Sequence, residues 1–569
     1  MTFRMTRYLR ATGWMLGLGA VLAACSGFPA GVWDGASHAP AGATPSESAV
    51  PSLTNSPFLP SPSAPPLSPT PTEDGTGVPR RVWLSPTLPP ALLSAFTLPP
   101  GWTTTGFAEE ADIQIRIGAE HPISSWIYAL VAPFPTVPDG VSIMDLHKFW
   151  SGQGGTPFAG RPLRMDQNTI EVFSTFWGVP APGATQVVPA EDMVDTAWAD
   201  RPAWGIIPWE GIEPRWKVLE VNGISPMRRE FDVSMYPLAV PISCLGDAEA
   251  CQGFALSLPA TNRDPSHLTT LLLTGVTALV RATATLMESR GILYPAQDIG
   301  PLLQSADLTH ISNEIPFYTN CPPPDPDPEI FRFCSDPRYI DLLEYIGTDI
   351  VELTGNHVLD YGTGALLYTM ELYRQRGWLF YASGSNLAAA KAPILLEHNG
   401  NRLAFIGCNK PGYSKEWATE DAPGAAPCDW DYLRSEIACL RSEQYLPIMT
   451  FQYIEYYQYA PSPEQVEDFH AVAEADPVIV SGSQAHHPQT LAFDGGTFIH
   501  YGLGNLFFDQ YGLQRETELA FIDRHVFYQG RYLGMELVTI QFVDSARPRL
   551  MTPGERADLL ATVFAASGW

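Results

Sequence analysis

From about residue 268 onward the chain alternates two apolar patterns. Short strand-like runs such as Asp349–Leu353, Val478–Val480 and Thr497–Tyr501 are separated by stretches of helical period, among them Tyr339–Tyr345 and Thr363–Arg376. Strand and helix in regular turn predict a mostly parallel α/β sheet. In such a sheet, the loops at the carboxyl ends of the strands gather the polar groups that meet ligands.

Four of these loops carry chemistry. The stretch ADLTHISNEIPF (306–317) delivers Glu314. Thr354-Gly355-Asn356-His357 supplies an amide oxygen beside an imidazole, and Asp360 stands where it can orient that imidazole through its second nitrogen. LPIMTFQYIEYY (446–457) brings Gln452 and Glu455, and the turn after Val480 brings Gln484, His486 and His487. Alone, a His-His pair in a polar loop is more often structural than ligating. Four such loops in order are a constellation. If each ends a strand of one parallel sheet, Glu314, Asn356, His357 and His486 converge in one pocket.

The preceding residues divide into three parts. Arg4, Arg7 and Arg10 followed by the apolar run Thr12–Ala24 form a secretory signal over residues 1–24, too short to span a bilayer. It ends in Leu22-Ala23-Ala24-Cys25, the small-residue-then-cysteine pattern of a bacterial lipobox; the alternative is ordinary cleavage near Ala24 with Cys25 incidental. Lipidated Cys25 would anchor the protein to the outside of the bacterial cell membrane. Residues 25–79 are rich in Pro, Ser, Thr, Ala and Gly, a composition that cannot offset its ordering entropy and predicts a disordered tether. Its extended reach is on the order of 100 Å.

Residues 80–262 mix strand-like runs (Arg81–Leu84, Asp112–Ile117, Trp126–Ala132) with helical stretches such as Ala190–Ala197. Ala129-Leu130-Val131-Ala132-Pro133-Phe134, then Ser142-Ile143-Met144-Asp145-Leu146 and Phe149-Trp150-Ser151-Gly152, resemble the type II solute-binding-protein pattern of a hinge-crossing strand and a following helix. That resemblance implies two α/β lobes around a cleft, against the alternative of an α/β module without a ligand.

Composition narrows the partners. With 45% hydrophobic residues and 15 Trp, the chain has ample core. The net charge of −28 becomes −31 when residues 1–24 and their three Arg are removed, which argues against nucleic acid as a partner. Seven cysteines follow Cys25, and outside the cell they can pair. Cys244 with Cys251 and Cys321 with Cys334 are plausible local bridges, while Cys408, Cys428 and Cys439 leave one over, or all three are buried thiols.

Across about 268–510 the ordered motifs point further. They are Thr274-Gly275-Val276 through Arg281, ADLTHISNEIPF, LTGNHVLDYG, FQYIEYY with Pro463 and Gln465, GSQAH, and YGLGNLFFDQ. They resemble the CapA-type poly-γ-glutamate capsule family, a branch of the calcineurin-like metallophosphoesterase fold. The resemblance implies a metallophosphatase-like β-sandwich flanked by helices (αββα), with residues 511–569 as an extension carrying a terminal helix. It also implies a role in making, retaining or handling a cell-surface polymer.

The departures from that family concern its metals. Its first aspartate falls on Val276, one histidine on Gln452 or Phe451, and another on Gln484. A two-metal centre needs dense carboxylates and imidazoles around ions roughly 3.5–4 Å apart. Any remaining metal would be one weakly held divalent ion on Glu314, Asn356 and His486; a site without metal is the equal alternative. Two functions follow. In the first, a protein with a degenerate metal centre binds an anionic polymer or small solute through Arg281, Gln452, Glu455, Gln484 and His487. In the second, a reduced metal-dependent hydrolase uses His357, oriented by Asp360, as general acid.

Overall fold

In the computed structural model, which describes residues 79–569 apart from 155–157 and 159, the run ending near Ala132 is one long strand, Pro122–Pro133. Its first half pairs with Ala239–Gly246 and its second with Trp204–Pro208 and Trp216–Val221. One strand is thereby shared by two halves of a ten-stranded sheet. The helix Ile143–Trp150 starts where Ser142 accepts the Asp145 backbone N–H, and it buries Leu146, Phe149 and Trp150. A Cys244–Cys251 disulfide ties the strand Ala239–Gly246 to the helix Ala248–Ala255. The signal segment, Cys25 and the tether through residue 78 lie outside the described residues.

The second domain is built on two sheets. In one, Leu268–Thr277 lies parallel to Leu308–Asn313, which is followed outward by Ile350–Glu352 and Leu379–Tyr381. On its other side the same strand is antiparallel to Leu519–Tyr528, which pairs in turn with Arg531–Phe542. The second sheet orders Ile394–His398, Asn401–Asn409, Leu446–Gln452, Ile479–Ser483, Thr497–His500 and Leu491–Asp494. Leu271, Leu273 and Phe521 from the first meet Phe405, Ile448, Ile479 and Phe498 from the second in a common core.

Helices cover the outer faces. Met287, Leu342, Leu343, Leu366 and Met370 pack on the first sheet; Leu433, Ile437, Phe469 and Val472 pack on the second. The result is a four-layered αββα sandwich. It is the αββα arrangement that the family resemblance implies, and it revises only the reading of one parallel sheet taken from periodicity. The strands before Glu314 and Asn356 lie in the first sheet, and those ending at Gln452 and before Gln484 lie in the second. Periodicity marks strands buried on both faces, but strands in either sheet of a sandwich are buried alike.

Residues 511–569 also differ from expectation. Far from being an extension, they supply Leu519–Tyr528 and Arg531–Phe542 to the first sheet and the helix Pro553–Ala566 to the core. That helix begins with Thr552 and Glu555 in a reciprocal cap.

The two domains interlock. Phe134, 2% exposed, enters the second domain's core, 5.4 Å from the Phe493 ring, 5.7 Å from Phe498 and 5.9 Å from Trp569. Arg556 grips Asp139 through two nitrogens at 2.7 and 2.8 Å, and Arg531 donates to the carbonyl oxygens of Glu210 and Ile212. Phe134→Ala should therefore cost about 3–5 kcal/mol. In urea it should also loosen the coupling between domains and give two unfolding transitions by circular dichroism. A single transition with an unchanged midpoint would show that Phe134 is not the clasp.

Candidate functional site

The strand ends of both sheets open onto a cavity of about 970 Å³. Glu314, Asn356, His357, Asp360, Glu455, Gln484, His486 and Arg281 all line it. Gln452 does not; it lies beneath, buried at 1% exposure. His487 turns away. Its Nδ1 donates to the Pro488 carbonyl at 2.8 Å and its ring stands against Tyr459, so the expectation that it touches ligand is corrected. Both residues follow the strand Ile479–Ser483 in a turn where Gln484 and His486 have positive φ, and that turn gives His486 the inward direction.

Each imidazole in the cavity is held by a partner that fixes its tautomer. His357 Nδ1 lies 2.7 Å from Asp360 Oδ2, an acceptor, so that nitrogen carries the proton. Asp360 Oδ2 also accepts the Phe333 backbone N–H at 2.8 Å. Burial presses the His357 pKa down, but the Asp360 hydrogen bond and the charges of Glu314, Asp360 and Glu416 prevail and leave it above the ordinary histidine value. His486 Nδ1 lies 2.8 Å from Asn505 Oδ1; the Asn505 amide nitrogen faces the Thr517 carbonyl. His486 thus donates from Nδ1 and places Nε2 3.8 Å from Glu455 Oε1.

Backbone strain gathers at the same place. Arg281, Gln484 and His486 have φ of +50°, +79° and +52°, a region that non-glycine residues rarely adopt. Arg281 opens the helix Arg281–Arg290, with its Nε 3.9 Å from Asp509 Oδ2. Asn505, Asp509 and Gln510 sit within the YGLGNLFFDQ stretch and are functional positions that the sequence pattern alone does not single out. A carboxylate directly after the apolar Leu506-Phe507-Phe508 was the available signal.

The donors present do not fit a pair of divalent ions. Val276 is 1% exposed and packs with Ala278, Val280, Ile315, Phe333 and Phe508 in an apolar cluster. Gln452 Nε2 donates to Asn356 Oδ1 at 3.0 Å and also to Gln484 Oε1, while Gln452 Oε1 accepts from Ser483 Oγ at 2.9 Å. An amide NH₂ therefore already engages one lone pair of each of the Asn356 and Gln484 oxygens. Among the described residues, no three His, Cys, Asp or Glu side chains are grouped to hold a metal. Glu314, Asn356 and His486 share the cavity, and Asn356 engages one lone pair of its oxygen with Gln452.

A disulfide-closed loop forms part of the wall. Cys321–Cys334 staples the proline-rich segment that contributes Pro326, Asp327, Phe331 and Phe333. A third bridge joins Cys408 to Cys428, linking the strand Asn401–Asn409 to the approach of the helix Trp430–Ser442.

Four layers with ligand-bearing loops at the strand ends of two facing sheets define a metallophosphatase-like scaffold. Residues 270–510 match the family described as "Bacterial capsule synthesis protein PGA_cap". The chain is 24% identical over 279 residues to the "Capsule biosynthesis protein CapA" of Bacillus anthracis, a match covering 47% of this chain and 66% of that protein. Among solved structures, a 5'-nucleotidase precursor from Thermus thermophilus aligns over 53% of this chain and 58% of its own, at 11% identity and a TM-score of 0.31. An ABC-type phosphate transport receptor from Vibrio cholerae aligns over 31% of this chain and 93% of its own, at 14% identity and a TM-score of 0.27.

Beneath the cavity, burial pushes Glu352 up from the usual 4.5 to about 7, against hydrogen bonds from Thr354, Thr450 and Ser312 that favour the carboxylate. The folded state thus binds this proton more tightly than the unfolded chain. The associated stability is present below pH 4.5 and lost as pH rises through 7, on the order of 3 kcal/mol. Glu352→Gln should remove that dependence. The melting temperature of the variant relative to wild type should climb between pH 5 and 8, and parallel curves would contradict the desolvated carboxyl.

Proposed function

We propose that the chain is an extracytoplasmic surface protein that takes part in handling a cell-surface polymer such as poly-γ-glutamate, with a metal centre reduced to a binding site. The observation that supports this reading is the Gln452 amide, donating to both Asn356 Oδ1 and Gln484 Oε1 where the family pattern calls for imidazole and cation. Val276 in an apolar cluster supports it as well. The named relative is described as a capsule biosynthesis protein, and the polymer is part of this reading.

A tether and a lipid on Cys25 would hold both folded domains clear of the membrane. No helix among the described residues is long and apolar enough to cross a bilayer.

One observation favours a hydrolase instead. His357 is paired to Asp360 at 2.7 Å with raised basicity, and so is equipped as a general acid. The two readings separate on the purified mature protein. Binding of poly-γ-glutamate should be saturable and weaken at least about tenfold in a His486→Ala variant, the loss of one charge-assisted contact. The polymer's length distribution should stay constant with added Mn²⁺ or Zn²⁺. Shortening of the polymer that disappears in His357→Ala would establish the hydrolase.

The anchor has its own test. Cys25→Ala should move the protein from the membrane fraction into the medium, and sedimentation with membranes despite the substitution would refute lipidation.

A further inference from the structure

The cavity at the strand ends holds a surplus of hydrogen-bond acceptors. Glu314 is 3% exposed, and its Oε2 has no hydrogen-bond partner among the described residues. Gln510 gives its amide N–H to Tyr457 Oη at 3.1 Å and leaves a buried Oε1 likewise unpartnered. From a third loop Glu455 Oε1 faces the same space, 3.8 Å from His486 Nε2. Three separate loops thus present acceptors to one space.

Of the cations on the same wall, Lys415 pairs with Glu416 at 3.2 Å. Arg281 stands 3.9 Å from Asp509 and leaves one buried donor, Nε, without a hydrogen-bond partner, fewer than the acceptors that face it. Buried acceptors left without donors are costly, so the arrangement is complete only when something brings donors and positive charge.

We propose that the cavity binds a primary ammonium carried on an extended stem, as at the amino end of a peptide-like polymer or on a lysine-type side chain. This rests on the reading of the cavity as a ligand site. An ammonium supplies three N–H donors in a compact, tetrahedral group, which suits acceptors arriving from several directions; a guanidinium is a planar fork. A divalent ion is disfavoured by the geometry, because the carboxylates and imidazoles among the described residues do not group as ligands. The aromatic surroundings suit an organic cation. Phe508 stacks on His486 with centroids 4.8 Å apart, Phe333 meets His357 at 5.0 Å, and Tyr457 lies on the same wall. At the mouth, Phe331, Tyr413 and Leu513 are 67%, 68% and 57% exposed and offer apolar surface to the stem.

Calorimetry on the full mature chain tests the assignment with two pairs of probes. The first pair is Nα-acetyl-lysine amide and its Nε-acetylated form. The second is a γ-linked glutamate oligomer with a free amino end and the same oligomer N-acetylated. The free amine of each pair should bind, and acetylation should weaken binding at least about tenfold, the worth of a charge-assisted hydrogen bond. Glu314→Gln should weaken the free amines by a similar factor with the melting temperature unchanged; if that variant does not fold, Glu455→Gln at the half-exposed wall takes its place.

Equal binding of free and acetylated probes would overturn the ammonium site. If the glutamate oligomers bound regardless of acetylation, the polymer reading would survive without it. Lysine amide binding through its amine, with no binding by either oligomer, would keep the ammonium site and remove the polymer. Stoichiometric uptake of Mn²⁺ or Zn²⁺ that is lost in Glu314→Gln would replace the ammonium with a metal.

Discussion

The site depends on two sheets being held face to face with the carboxyl ends of their strands on the same edge. Neither sheet carries the constellation alone, since Glu314, Asn356 and His357 follow strands of one and Glu455, Gln484 and His486 follow strands of the other. The apolar layer of Leu271, Phe405, Ile448, Phe498 and Phe521 supplies the attraction, but such contact is not directional. Polar links across the layer choose the alignment. His500 Nδ1 meets Asp523 Oδ2 at 2.6 Å with both side chains buried, and Tyr381 Oη stands 2.8 Å from both His310 Nε2 and Thr450 Oγ1. A slip between the sheets would strand these groups unpaired in an apolar interior, at a cost that packing alone would not impose.

The same logic extends to the first domain. Its contact with the sandwich is an apolar plug, Phe134, ringed by ion pairs. Arg228 binds both Glu220 and Glu536, and Glu536 also receives Arg524 at 2.9 Å. Lys217, pressed down to about 8 by burial in spite of Asp139, gives its protons to Asp139 and to the Thr136 and Val137 carbonyls. Charges from both domains complete one another, so separating the domains would leave several of them desolvated and unmatched.

How much of this was legible depended on how local the signal was. The runs around Ile350–Glu352, Ile479–Ser483 and Thr497–His500, and the helix Gly362–Gln375, followed directly from apolar spacing and turn residues. The loops carrying Glu314, His357 and His486 were readable for the same reason. Partition of the strands between two sheets was not, because adjacency in sequence sets only neighbouring parallel pairs. Nor was the role of the hairpin Leu519–Tyr528 and Arg531–Phe542, whose first strand pairs with Leu268–Thr277 some 250 residues earlier. The direction of His487 and the oxygens bound by Gln452 are decided by backbone turns after the strands, where φ is positive and period-2 reading stops applying.

Those turns carry the argument about what the site retains. Gln484 and His486 hold left-handed backbone within three residues of each other, and Arg281 does the same across the cavity. Each such residue costs of order 1 kcal/mol or more and persists only where its surroundings over-determine it. In this chain the usual compensation, a shared metal, is opposed by Val276 and by an amide already bound to the oxygens of Asn356 and Gln484. The local hydrogen bonds of His486 to Asn505 and of Gln484 to Gln452 hold the turn, so its shape does not need an ion. What they leave over is His486 Nε2 and the Glu314 and Glu455 carboxylates, which face the cavity from three different loops.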